Sequence, residues 1–572
     1  MNKPIIEFKD FVFKYRSQSK PTLSNINLTI YEGEKVIIVG PSGSGKSTFA
    51  HCINGLIPFS YEGEISGSLR IKGKETKLQT IYELSQSVGT ILQDSDTQFI
   101  GLTVGEDIAF ALENNQVSSK LMQEKVVTAA SLVGMEQYLD ASIHQLSGGQ
   151  KQRVALAGVL IEEVDILLFD EPLANLDPVA GKQAMHLIAD IHKRHNNTII
   201  IIEHRLEEVL EADVDRILLI DHGTLIADLS PQQLLASSLL DDHRLRKPLY
   251  IKLLQDAGVR LPDHIPIHPL SMIPMKEYRQ KVINWFQGRR RELQRKKQPT
   301  LLEVNKLSFT YPNQESGIKN LSFSLEKGEM VSIVGKNGAG KSTLAKLING
   351  FEVPKEGSLF LNGMDITNLT IKEKGQKIGF VLQNPNHMIS KHFIKDEVSL
   401  GLINQGMDPS EIEKRVEEAL KICGLLPYRK WPISALSYGQ KKRVTIASIL
   451  VLKPEILILD EPTAGQDLYH YTEIMDFLLE LNRTGISMMI ITHDMHLIQE
   501  YTSRTMVLAD GEIIADSSSA NILTNPQIMK AANLKETSLY EMAKLLQVEN
   551  PSEFIDAFIS YEQEGRKTWL KC

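Results

Sequence analysis

Cysteine is scarce: three stand in 572 residues, Cys52, Cys423 and Cys572, far apart and with no CxxC pair. That excludes a disulfide framework or a thiolate metal cluster, and the three read as reduced thiols in a cytosolic protein. Long apolar runs are missing too. None approaches the roughly 18 residues that span a bilayer, and the longest candidates, near 198–202 and 487–491, are strand-sized. The opening MNKPIIEFKD lacks the basic-then-apolar pattern of a secretory signal. The expectation is a chain that does not itself cross a membrane, although it can sit on one. No basic surplus exists either: the formal net charge is −8, so bulk charge gives no pointer to nucleic acid. A chain this long exceeds a single hydrophobic core and predicts several domains.

What is present is repetition, and repetition decides the architecture. Gly40-Pro41-Ser42-Gly43-Ser44-Gly45-Lys46-Ser47-Thr48 returns as Gly335-Lys336-Asn337-Gly338-Ala339-Gly340-Lys341-Ser342-Thr343. Leu146-Ser147-Gly148-Gly149-Gln150 returns as Leu436-Ser437-Tyr438-Gly439-Gln440, and Phe169-Asp170-Glu171-Pro172 as Leu459-Asp460-Glu461-Pro462. Two copies of one domain therefore follow each other, differing by a short loop deletion. Each alternates strand-like apolar runs with helical stretches, which predicts an α/β layered core. Strands are expected at Lys35–Val39 and Met330–Val334, feeding the glycine loops, and at Asp165–Phe169 and Glu455–Leu459, ending in acidic pairs. The expected domains are 1–235 and 299–517, joined by a connector at 236–298 and followed by a helical tail at 518–572.

A GxxxxGK[ST] match taken alone also reads as a glycine-rich turn. Here each match follows a strand and precedes a helical pattern, as phosphate binding requires. Glycines let backbone N–H groups wrap phosphates, and the helix N-terminus adds a favourable dipole. Lys46 and Lys341 are expected to reach the β- and γ-phosphates, and Ser47 and Ser342 to ligate Mg²⁺. Asp170 and Asp460 are the expected Mg²⁺ partners. Glu171 and Glu461 supply a carboxylate that orients or deprotonates the attacking water.

Leu146–Gln150 with Lys151-Gln152-Arg153, and Leu436–Gln440 with Lys441-Lys442-Arg443, resemble the signature sequence of the ATP-binding-cassette family. The signature serine precedes the glutamate by 24 residues in both copies, 147 to 171 and 437 to 461. A serine N-cap with flexible glycines presents N–H groups and a positive dipole end to an anion. The resemblance implies two P-loop NTPase domains, each with a RecA-like core, an antiparallel β subdomain and a helical signature subdomain. It implies that the anion is the γ-phosphate of ATP held by the other domain. One site would combine Lys46, Asp170, Glu171 and His204 with Ser437 and Gly439. The other would combine Lys341, Asp460, Glu461 and His493 with Ser147 and Gly149.

The remaining family positions are also filled. Gln93 and Gln383 match the Q-loop glutamine that senses Mg²⁺ and the transport partner. His204 and His493 match the switch histidine at the γ-phosphate, and Asp177 and Asp467 the D-loop aspartate. Tyr15 and Tyr311 match the aromatic that stacks on adenine; stacking tolerates any base, and either tyrosine also reads as a core aromatic. Tyr438 departs from the small residue usual at its position. No catalytic residue is missing in either copy, so two hydrolytic sites are expected.

The stretch Leu92-Gln93-Asp94-Ser95-Asp96-Thr97-Gln98, followed by Thr103–Phe110, resembles the Q-loop region of energy-coupling factor importers. These take up vitamins and transition-metal ions with a membrane scaffold subunit and a small substrate-capturing membrane subunit. The resemblance places this chain on the cytoplasmic face of the membrane, with no nucleic-acid partner. Asp94, Asp96, Glu106 and Asp107 offer acceptors for a partner's arginine, or form an ordinary solvated face.

Two rivals stand beside this reading. One is a soluble tandem-cassette translation factor, favoured by nine Lys or Arg against two Glu between Lys276 and Lys297. Such a run also reads as a solvated face or a headgroup contact. The translation-factor family's Asn-His-Leu-Asp loop is absent, replaced by Asn175-Leu176-Asp177 and Gly465-Gln466-Asp467. The other rival is the tandem ATPase of sugar importers, which usually degrades one catalytic half. For Trp285-Phe286 in the connector and for the apolar pattern of 538–558 in the tail, packing is the expectation.

Overall fold

The computed structural model describes residues 3–92, 98–173, 176, 178–262, 265–289, 298–312, 317–464 and 466–569. They fall into two compact units: Met1–Tyr278 with Gly465–Tyr469, and Arg279–Ala464 with His470–Cys572.

In the first unit, strands β1 (Pro4–Tyr15) and β2 (Leu23–Tyr31) form an antiparallel pair. Strand β3 (Lys35–Val39) runs into the glycine loop and helix α1 (Lys46–Ile53). Strands β4 (Gly63–Ile71), β5 (Lys74–Glu75) and β6 (Val88–Ile91) follow. Helices α2 (Val104–Asn114), α3 (Ser119–Leu132) and α4 (Gly148–Leu160) come next. Strand β7 (Ile166–Asp170), helix α5 (Pro178–His195) and strands β8 (Thr198–Ile202), β9 (Arg216–Asp221) and β10 (Thr224–Leu229) complete the α/β part.

Two sheets result, one four-stranded in the order β2-β1-β4-β5 and one six-stranded in the order β10-β9-β3-β8-β7-β6. The larger is parallel except for β10. Strands β3 (KVIIV) and β8 (TIIII) are buried along their whole length, as continuous apolar runs covered on both faces should be. Both sheets contribute to one core, in which Phe8, Phe13 and Phe49 lie with Ile38, Leu168 and Ile200. The three helices α2, α3 and α4 pack together. Their inward stripes include Val104, Ile108 and Leu112 on α2 and Val126, Ala129 and Ala130 on α3, at helical spacing.

The second unit repeats this plan. It begins within helix α6 (Met275–Gln287) and continues through β11 (Thr300–Thr310), β12 (Gly317–Glu326) and β13 (Met330–Val334) to helix α7 (Lys341–Asn349). Then come β14 (Glu356–Leu361), β15 (Met364–Asp365), β16 (Ile378–Val381) and helices α8 (Ile394–Asn404), α9 (Pro409–Ile422) and α10 (Tyr438–Leu450). Strand β17 (Ile456–Asp460), helix α11 (Leu468–Arg483) and strands β18 (Ser487–Ile491), β19 (Arg504–Ala509) and β20 (Glu512–Ser518) follow. Its sheets are ordered β12-β11-β14-β15 and β16-β17-β18-β13-β19-β20, the same topology as the first unit's.

The loop deletion between the copies falls after the glycine-loop helix: α1 ends at Ile53 and β4 starts at Gly63, whereas α7 ends at Asn349 and β14 starts at Glu356. The acidic strands sit one residue later than the sequence suggests. Asp170 pairs with Ile202 and Asp460 with Ile491, so each aspartate is the last residue of its ladder.

The connector's last helix is stapled to the tail. Within the second unit, Trp285 lies 6.0 Å from Phe558 and 5.2 Å from Tyr561, and Phe286 lies 5.4 Å from Phe554, on helix α12 (Pro551–Trp569). The Arg289 guanidinium stacks 4.6 Å over Trp285 and 4.7 Å over Tyr561. Arg279 Nε donates to the Leu546 carbonyl at 2.8 Å. The end of the basic run, 290–297, lies outside the described residues. Two of the three cysteines, Cys52 and Cys423, are buried free thiols; burial pushes both up, Cys423 to about 12, which makes them poor nucleophiles.

Candidate nucleotide-binding sites

Each glycine loop is built where a side chain cannot fit. A Cβ on Gly40 would meet the Ile220 carbonyl at 2.0 Å, and one on Gly335 the Leu508 carbonyl at 2.1 Å. Gly45 and Gly340 both adopt φ +104, immediately before α1 and α7. The turn closes over the lysine. Lys46 Nζ donates to the carbonyls of Gly40 at 2.8 Å and Pro41 at 2.9 Å. Lys341 Nζ donates to Gly335 at 2.7 Å and Lys336 at 3.1 Å. Burial lowers the Lys46 pKa, while the carboxylates of Glu171, Asp467, Asp170 and Asp221 oppose that shift.

Gly335→Ala is therefore expected to displace the loop from β19 and cost about 1–3 kcal/mol, as overpacking does, with weakened ATP binding. Gly338, at φ +80 with nothing within 4 Å of a built Cβ, is the control: Gly338→Ala adds backbone strain but no clash. Thermal melts and ATP titrations of the two variants check this. Equal behaviour would contradict it.

Strand ends β7 and β17 place the acidic pairs beside these loops. Burial and the neighbouring Glu171 raise the Asp170 pKa to about 6, with Lys46 and His204 opposing. Asp460 is raised by burial and Glu461. Ser342 Oγ donates to Asp460 Oδ2 at 3.3 Å, so a hydroxyl and a carboxylate oxygen converge, the hard donor set that Mg²⁺ takes. Ser44 Oγ, buried and without a hydrogen-bond partner among the described residues, lies in the first loop and fits a phosphate oxygen there. Together these observations fit Mg²⁺ and ATP phosphates.

Glu171 and Glu461 are the next residues, both at positive φ, 49° and 46°. Non-glycine residues in that region carry strain and cluster at functional sites. Their amides donate to the carbonyls of Ile202 and Ile491, both at 2.9 Å, which fixes each glutamate against the strand leading to its histidine. His204 Nε2 lies 3.0 Å from Glu171 Oε1, and His493 Nδ1 lies 2.7 Å from Glu461 Oε1. Each glutamate and the histidine expected in the same site thus lie together in both halves, as a carboxylate–imidazole contact that the sequence did not predict.

The halves differ behind these pairs. In the second, Thr492 Oγ1 donates to Glu461 Oε2 at 3.2 Å. In the first, the buried Glu203 takes that position and accepts the amides of His204, Arg205 and Leu173. Its pKa is raised by burial, with Arg205 opposing and Glu171 adding. Sequence reasoning passed over Glu203, although Ile202-Glu203-His204 against Ile491-Thr492-His493 displays the exchange.

Tyr15 OH lies 3.1 Å from Thr48 Oγ1, and Tyr311 OH lies 3.5 Å from Thr343 Oγ1, so both tyrosines reach the first turn after their glycine loops. Ser147 and Ser437 are exposed N-caps of α4 and α10. Each is in a capping box: the Gln150 and Gln440 amides donate to the serine hydroxyls, and the two glutamines accept from the serine amides. Gly149 and Gly439 stand in the first turns of these helices. Gln93, Asp94, Asp96 and Asp177 lie outside the described residues. Asp467 falls in the first unit, where it accepts the Ser42 amide at 2.5 Å. The backbone carbonyl of Gln383 accepts from Tyr438 and Lys442. Glu106 accepts the amides of Leu102 and Thr103, and Asp107 those of Ile100 and Gly101. Both carboxylates thus hold the loop before α2, a structural use the sequence did not disclose.

Glycine cradle, strand-end Asp-Glu pair and facing histidine, present twice, define a P-loop nucleoside-triphosphate hydrolase with two cassettes. Comparison with known proteins agrees. The family model described as ABC transporter matches residues 23–174 and 318–464, and one described as ATP-binding cassette cobalt transporter matches 237–309. A putative ABC transporter ATP-binding protein of Clostridium perfringens is 54% identical over 564 residues, 99% of each chain. A protein of the same description from Enterococcus faecalis is 52% identical over 567 residues, 99% of this chain and 100% of that one. One from Vibrio vulnificus is 51% identical over 98% of both. Among solved structures, cbiO1 of Clostridium perfringens, described as part of the ABC transporter complex cbiONQ, is 32% identical with a TM-score of 0.39, covering 44% of this chain and 99% of that one.

The chain belongs to the ABC transporter ATP-binding family and is an ATPase of the tandem type.

Proposed function

We propose that this chain is the ATP-hydrolysing subunit of a membrane importer, taking up a vitamin or transition-metal-type micronutrient through separate integral membrane subunits. The observation that carries the import reading is the match of 237–309 to the cobalt-transporter model, a segment outside both ATPase matches. A scaffold subunit and a small substrate-capturing subunit are its partners, and the chain works from the cytoplasmic face of the membrane. No helix among the described residues is long and apolar enough to cross a membrane, so the passage itself falls to those partners.

The two ATP sites are composite. Lys46, Ser47, Asp170, Glu171 and His204 act with Ser437 and Gly439; Lys341, Ser342, Asp460, Glu461 and His493 act with Ser147 and Gly149. Gln93 and Gln383 would serve the metal and the γ-phosphate, and Tyr15 and Tyr311 would stack on the bases. Mg²⁺, when bound, would be held by the serine and aspartate oxygens and would supply charge neutralisation of the phosphates. The lysines position those phosphates, the capped helix tips donate N–H groups to the γ-phosphate, and the glutamates take a proton from the attacking water. Each histidine orients its glutamate.

Purification of the tagged chain from detergent-solubilised membranes tests the import reading. Two integral membrane proteins should accompany it in stable ratio. Recovery with ribosomes and without membrane partners would overturn it in favour of a translation factor.

A further inference from the structure

Three side chains at the start of α10 reach back to the segment that follows β16. Tyr438 OH donates to the Gln383 carbonyl at 3.2 Å. Lys442 Nζ donates to the same carbonyl at 2.9 Å and to the Glu461 carbonyl at 3.1 Å. Lys441 Nζ donates to Asn386 Oδ1 at 3.4 Å. Lys442 is only 1% exposed. A buried ammonium is retained only where its N–H groups find acceptors, and here the acceptors belong to two other segments. The first cassette carries Gly148 and Gln152 at the corresponding signature positions. Glycine has no side chain to donate, and Gln152 Nε2 is committed to the Pro172 carbonyl at 2.7 Å.

We propose that Tyr438 and Lys442 form a latch in the second cassette that binds its Q-loop and the backbone of Glu461 to its signature helix so that the three move as one body. The consequence rests on the composite-site reading above. Ser437, which heads α10, serves the ATP held by Lys46, whereas Gln383 and Glu461 serve the ATP held by Lys341. The latch therefore relays the state of the second nucleotide to the first site. The departure of Tyr438 from a small residue is then a functional exchange.

Hydrogen exchange on the full-length chain tests the latch itself. Tyr438→Phe removes one exposed hydroxyl and leaves the chain folded; Lys442→Met keeps the aliphatic stem; Lys442→Arg keeps a cationic donor. In Tyr438→Phe with Lys442→Met, the amides of residues 382–390 should exchange about tenfold faster than in the parent, as expected for a local opening that has lost its restraints. Tyr438→Phe alone should give part of that effect, and Lys442→Arg should restore protection. Exchange within twofold of the parent in Tyr438→Phe and in the pair would overturn the latch. This readout does not depend on hydrolysis, so its failure leaves the composite sites standing.

The relay is read by turnover. In the Glu461→Gln chain only the first site turns over, and its rate should depend on whether the second site holds ATP. The latch pair should abolish that dependence, and its persistence with a released Q-loop would overturn the relay.

Discussion

Replacing both Glu171 and Glu461 with glutamine should lower ATP turnover by about 10²–10⁴-fold, the usual contribution of a positioned general base, while ATP still binds. Glutamine is nearly isosteric, and the backbone that aims each side chain is independent of its charge. The amide of residue 171 would still reach the Ile202 carbonyl, and that of residue 461 the Ile491 carbonyl. What is lost is the proton acceptor beside His204 and His493. Bound nucleotide should then accumulate unhydrolysed, holding the chain in its ATP-loaded form. Single substitutions should each silence one site, detectable as loss of one component in single-turnover experiments. Unchanged turnover in the double variant would refute the assignment of the glutamates.

Lys46→Ala and Lys341→Ala should each weaken ATP binding at one site by about 1.5–3 kcal/mol, roughly 10- to 150-fold, since a charge-assisted hydrogen bond to phosphate disappears. There is a second loss. Each lysine also fastens its own loop, through the carbonyls of Gly40 and Pro41 or of Gly335 and Lys336, so the empty cradle should loosen as well. Equilibrium titration with a fluorescent ATP analogue should show one weakened site in each single variant and two in the double. If the chain energises import as proposed, uptake should fall in both single variants, because one clamp remains without its twin. Two undisturbed sites in either variant would contradict the role given to that lysine.

Motifs whose chemistry is local were legible in the sequence. The glycine loops, the strands Lys35–Val39 and Met330–Val334, and the serine caps depend on residues within a few positions of each other, and the structure forms them at those places. That each glutamate and its histidine belong to one site was legible because the two copies nearly keep the spacing; that the carboxylate and the imidazole touch was not. The uses of Glu106, Asp107, Glu203 and Lys442 were not. Their partners are backbone amides or carbonyls, which every sequence contains and none displays. Acidity near the Q-loop suggested a docking surface, yet the carboxylates of Glu106 and Asp107 go to the turn at 100–103. Trp285 and Phe558 showed apolar spacing only; that they meet is a matter of tertiary packing.

Counting retained nucleotide with Glu171→Gln and Glu461→Gln as background tests the composite arrangement most directly. That chain should hold two ATP after desalting. Adding Ser437→Arg should leave one, and adding Lys46→Ala to that should still leave one, because both changes strike the same site, whereas adding Lys341→Ala should leave none. If Ser437→Arg with Lys46→Ala held none while Ser437→Arg with Lys341→Ala held one, each signature serine would belong to its own cassette and the account would be wrong.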